Sequence, residues 1–116
     1  MNIEEFLHQT CNVEDMGKGY HMQRTRPRVY CKDGFSVSMQ AGEGIYCQPR
    51  RDGDLCYYMV ELGYPSAPMP EIEDRAEDKG TLETVWGYVP VADVQKILDS
   101  HGGIDEAKTL KPKEKK

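Results

Sequence analysis

No run of apolar residues in this sequence approaches the roughly 18–20 needed to cross a bilayer, so a membrane-spanning helix is not expected. The first residues, Met1-Asn2-Ile3-Glu4-Glu5, are acidic and lack the basic and apolar regions of a secretory signal. Lipidation motifs are missing too. The expectation is a cytoplasmic protein with no membrane association.

Signatures of chemistry are equally sparse. A zinc site needs Cys and His in close pairs so that one loop can wrap the ion. No two of the four cysteines (Cys11, Cys31, Cys47, Cys56) and no two of the three histidines (His8, His21, His101) lie that close. Cys47 and Cys56 could meet across a turn, but their spacing argues against metal. Without a secretion signal, free thiols are favoured over disulfides. There is no phosphate-binding loop and no dinucleotide fingerprint. A catalytic Cys would need a His beside it, and His101 has a plainer role at a helix C-terminus. We therefore expect no catalytic residues, no metal, no cofactor and no enzymatic activity.

What is present describes one small domain. A chain of 116 residues buries roughly two-thirds of its unfolded surface, enough for one core. It is 38% hydrophobic and 30% charged, with a net charge of −5 that is unevenly spread. Arginines cluster in the first half, and acids over Glu71–Asp78. The stretch Lys108–Lys116 is basic.

Local patterns give the elements. Asn2 and Glu5 have capping-box spacing, and Ile3, Phe6 and Leu7 form an apolar stripe, which suggests a short helix within 3–16. Its alternative is a mobile arm over 1–26. The segments 28–32 and 35–39 alternate apolar and polar residues around Asp33-Gly34, predicting a hairpin with a two-residue type I′ turn. Further strands are expected at Gly44–Gln48, Leu55–Leu62 and Thr84–Val89. Prolines 65, 68 and 70 take the chain out of the sheet, and 71–80 reads as a long solvated loop. Val91, Val94, Ile97 and Leu98 define an amphipathic helix closed by Gly102-Gly103. The prediction is an α+β domain over 27–104: a four- to five-stranded, mainly antiparallel sheet, beginning as a meander, with a C-terminal α-helix packed on one face. Residues 105–116 read as a disordered basic tail.

Candidate binding residues follow from charge and aromaticity. Arg24, Arg26 and Arg28 alternate, so an extended chain would project them to one side, where they could grip phosphates. The acidic whole and the lack of a nucleic-acid motif favour solvated arginines instead. A pocket between the sheet and the C-terminal helix would draw on Arg50, Glu61 and His101 as polar groups. Arg51 and Tyr46 complete the candidate set. The remaining tyrosines read mainly as core, with some able to line an exposed face beside Met59 and Met69.

Several stretches together resemble small uncharacterised proteins of phage and prophage genomes. They are Cys31-Lys32-Asp33-Gly34-Phe35, Tyr46-Cys47-Gln48-Pro49-Arg50, Val60-Glu61-Leu62-Gly63-Tyr64-Pro65-Ser66, Gly87-Tyr88-Val89-Pro90-Val91 and His101-Gly102-Gly103. The resemblance spans roughly two-thirds of the chain and implies an origin but no catalytic residues. It makes an interaction protein the leading expectation, with a host or viral protein as partner. Small-molecule or nucleotide binding, and nucleic-acid binding through the arginines, are the alternatives.

Overall fold

A computed structural model describes residues 1–17, 20–23, 25–42, 45, 47–48, 57–78 and 80–110. Chain order is α1 (Ile3–Gln9), β1 (Val13–Gly17), β2 (Tyr20–Gln23), β3 (Val29–Tyr30), β4 (Ser36–Gln40) and β5 (Met59–Gly63). A 3₁₀ turn (Pro70–Arg75), β6 (Val85–Pro90), α2 (Val91–Ser100) and α3 (Glu106–Thr109) complete it. The expected α+β class is present: β3-β4-β5-β6 form an antiparallel four-stranded sheet, and α2 contacts β6.

One face of the sheet carries the core. Val37 and Met39 of β4, Val60 and Leu62 of β5, and Trp86 and Val89 of β6 are all buried, at every second residue outside one irregularity. That irregularity is a bulge in which Gly87 and Tyr88 oppose Glu61, because Val60 pairs with Val89 but Leu62 with Trp86. Val94, Ile97 and Leu98 of α2 join the same cluster, as do Ile3, Phe6 and Leu7 of α1. The N-terminal segment is thus a packed helix. Its capping box forms as the spacing predicts: the Asn2 side chain accepts from the Glu5 N–H, and Glu5 accepts from the Asn2 N–H, both at 2.8 Å.

Several expectations need correction. The helix ends at Gln9, and the residues after it form the two-stranded sheet β1-β2, antiparallel and separate from the main sheet. The β3–β4 connection is not type I′, which needs positive φ at both turn residues. Only Gly34 has it (φ 101°). Gly34 N–H bonds Cys31 O at 3.0 Å and Cys31 N–H bonds Phe35 O at 2.7 Å, as in a three-residue loop with its glycine in the bulge. Of the strand expected at Gly44–Gln48, the described residues Ile45, Cys47 and Gln48 show one bridge, Gln48 with Met59, and Gly44 and Tyr46 lie outside them. β5 starts at Met59, after the expected Leu55, and residues 55–56 also lie outside them. The solvated loop at 71–80 contains the 3₁₀ turn, because Ile72 and Met69 are buried beneath it. The fold also extends past residue 104. Asp105 caps α3, Thr109 is buried, and the Thr109 hydroxyl accepts from the Tyr30 N–H (3.0 Å), sealing the outer edge of β3. Residues 111–116 lie outside the described set.

Candidate interaction surface

The arginine segment runs beside β4, and its described members are structural ties. Arg26 is 3% exposed, so it is not solvated. Its Nε donates to Thr10 Oγ1 (2.9 Å), Nη1 to Ala41 O, and Nη2 to Leu7 O (3.4 Å). The guanidinium carbon lies 5.8 Å from the centre of the Tyr57 ring. Leu7 and Thr10 sit at the end of α1, where helix carbonyls lack partners and a cation is favoured. Burial holds Arg26 below the usual arginine range, with Tyr57 the leading opposing influence. It stays cationic at neutral pH because arginine starts so high. Arg28 is half-buried and donates to Ser36 Oγ (2.8 Å), Ser36 O (3.2 Å) and Tyr64 O. Arg24, Arg50, Arg51 and Tyr46 lie outside the described residues.

His101 follows α2 directly. Its ring stacks on Phe35, with centroids 4.0 Å apart and planes 8° from parallel. Its Nδ1 is 2.7 Å from Asp33 Oδ2. Lys32 N–H to Gly103 O (3.0 Å) and Asp33 N–H to His101 O (3.2 Å) complete the seam between the hairpin turn and the helix end. The Phe35 N–H, and after it His101, hold the Asp33 carboxyl below its usual range. Cys31 lies at the same seam. Burial foremost, then the Asp33 and Asp99 carboxylates, push its thiol up to about 11. A thiol so held is protonated at neutral pH and is a poor nucleophile. Cys11 and Cys31 are free thiols, the Cys47 sulfur bonds the Gly42 backbone, and Cys56 lies outside the described residues.

Glu61 is half-buried in β5, opposite Gln40 on one side and the Gly87-Tyr88 bulge on the other. Arg50, expected with Glu61 and His101 to line a pocket between sheet and helix, lies outside the described residues. A cleft of about 510 Å³ lies elsewhere, lined by Pro68, Pro70, Glu73, Gly80, Thr81 and Leu82.

The aromatic residues divide sharply. Trp86 and Tyr57 are core, as is Met69, whereas Tyr30, Tyr58, Tyr64 and Tyr88 are exposed by 38%, 59%, 54% and 39%. Tyr64 (φ 50°) and Tyr88 (φ 53°) are also the two non-glycine residues with positive φ among the described ones, a conformation costly for bulky side chains. Position in the strands does not reveal this. The bulge that turns Tyr88 outward and the exit toward Pro65 that follows Tyr64 are features of the pairing. No family model, curated protein or solved structure matches the chain. No helix among the described residues is long and apolar enough to cross a membrane.

Proposed function

We propose that this chain is a small interaction protein, of phage or prophage origin, that acts by binding a host or viral protein. One observation carries the reading: two exposed tyrosines, Tyr64 and Tyr88, occupy backbone conformations that glycine would adopt without strain. Neither ring is buried, so core packing does not account for tyrosine at these positions. Tyrosine is enriched among the residues that dominate binding energy, because it offers a large amphipathic surface with few rotors. The arginines support this reading over nucleic-acid binding, since Arg26 and Arg28 direct their donors at protein acceptors.

The test is a double variant, Tyr64→Gly and Tyr88→Gly, used as bait in affinity capture from a bacterial host lysate. Relief of strain offsets the flexibility glycine adds to the unfolded chain, so the melting temperature should move by only a few degrees. The wild-type chain should recover a partner in stoichiometric amount, and the variant at least ten-fold less. Capture of nothing stoichiometric, or equal capture by both, would overturn the reading.

A further inference from the structure

The cleft beside the 3₁₀ turn differs in character from the exposed tyrosines. Pro68 and Pro70 form one part of its lining and Gly80, Thr81 and Leu82 another, so it is largely apolar, with Glu73 as its one acidic group. Around it lies the most acidic part of the chain: residues 71–83 hold Glu71, Glu73, Asp74, Glu77, Asp78 and Glu83 against Arg75 and Lys79. Five of those six acids are exposed, and Glu73 is half-buried. Arg75 is already engaged, with its Nη1 3.2 Å from Asp93 Oδ2. The cleft therefore has a largely apolar lining, and its rim is the acidic stretch 71–83, which supplies Glu73, Gly80, Thr81 and Leu82 of that lining.

The rim is also held in place. Glu73 Oε2 accepts from the Gly80 N–H (3.0 Å), closing the loop across the cleft, and Gly80 takes φ 83° to do so. The Asp78 N–H bonds Thr84 Oγ1 (3.0 Å), and the Glu77 N–H bonds Val85 O (3.0 Å) at the edge of β6. Prolines fix the backbone on the other side. A site fixed before binding loses less entropy when a ligand arrives.

We propose that this cleft receives a basic peptide segment of the partner protein, with one aliphatic side chain in the cleft and lysine or arginine side chains along residues 71–83. The inference deepens the protein-binding reading and rests on it. Charge complementarity selects a cationic occupant. The spread of the acids selects a peptide: five of them are exposed between Glu71 and Glu83, along a turn kinked at Ile72 and beyond it. A single amine can neutralise only one point on such a track.

The test titrates the full chain, by amide NMR at low salt, with a nonapeptide of central leucine flanked by lysines. Three comparison ligands are the same peptide with serine for leucine, with glutamates for lysines, and free spermine. The leucine–lysine peptide should shift the Gly80, Thr81 and Leu82 amides and weaken as salt rises. The serine peptide and spermine should bind at least ten-fold more weakly, and the glutamate peptide not at all. Leu82→Asp should weaken the leucine–lysine peptide ten-fold or more. Thr81→Lys, which removes no apolar group, should weaken it several-fold. No binding of that peptide overturns the proposal, as does equal binding of the serine peptide or spermine, or unchanged affinity in both variants. If the cleft fails while the tyrosine-dependent partner is still captured, only the peptide assignment falls. If capture fails, the broader reading falls with it.

Discussion

Arg26 and His101 both join segments distant in sequence, and both look from sequence like binding residues. Their surroundings are opposite. Arg26 is buried, ties the end of α1 to the turn at Ala41, and meets a hydroxyl, backbone carbonyls and the Tyr57 ring. His101 is a quarter exposed and ties the end of α2 to the β3–β4 turn through a carboxylate and an aromatic ring. A charge in the interior is kept only if its donors are satisfied, whereas a charge at the surface can be lost to water at small cost. The two ties should therefore differ severalfold in what they contribute.

Arg26→Met is the largest test of that difference. It removes the charge but strands buried acceptors at Leu7, Thr10 and Ala41, at a cost of about 3 kcal/mol. Arg26→Lys keeps the charge but loses the planar fork, and should recover less than half of the loss. Urea unfolding followed by circular dichroism would show the midpoint fall with an unchanged slope. A loss below about 1 kcal/mol would mean that Arg26 is as replaceable as a surface cation, and the contrast with His101 would collapse.

His101→Ala should cost about 1 kcal/mol, mostly through the lost stack on Phe35. His101→Phe keeps the stack without the pair to Asp33 and should restore most of it. The Asp33 carboxylate has its own signature in pH, set first by the Phe35 N–H and then by His101. The folded-state value of Asp33 is depressed, so its contribution is present above the unfolded value, near pH 4, and disappears as pH falls through the folded value. The melting temperature of wild type should thus exceed that of Asp33→Asn at pH 6, with the gap narrowing as pH falls through the depressed folded-state value. A gap that stayed constant with pH would leave the seam to backbone bonds alone.

The same contrast explains what the sequence could disclose. The capping box at Asn2 and Glu5, the alternation of Phe35, Val37 and Met39, and the apolar face of Val94, Ile97 and Leu98 are local patterns, and each produced its element. The β1-β2 hairpin did not announce itself: consecutive Val13 and Glu14 are both exposed, so its first residues show no alternation of burial. The burial of Arg26 depends on carbonyls at Leu7 and Ala41, on either side of it in the chain, and alternating arginines look the same whether buried or wet. Ile72 alone among acids gives no hint that a turn is anchored beneath it. Which tyrosines are exposed was hidden for a related reason. A strand assignment says which residues alternate, but a bulge at Gly87-Tyr88 reverses the direction of one of them.

Trp86 supplies the smallest expected effect and the sharpest counterpart to Arg26. Its ring is fully buried, yet its Nε1–H has no hydrogen-bond partner among the described residues. An unmet buried donor costs about 1–3 kcal/mol, so a side chain that removes it regains that amount. Trp86→Phe also shrinks the side chain, and the small cavity left should cost about 1 kcal/mol or slightly more. The two effects oppose each other, and the net change should stay within about 1 kcal/mol. Trp86→Leu, which gives up the aromatic ring as well, should lose clearly more. Arg26 follows the other course, since every group it contacts wants a donor and no apolar replacement can supply one. If Trp86→Phe instead proved as damaging as Arg26→Met, the indole N–H would have to be satisfied in solution, by a buried water or by a residue outside the described set. The orphaned donor would then be a filled site, and the contrast with Arg26 would disappear.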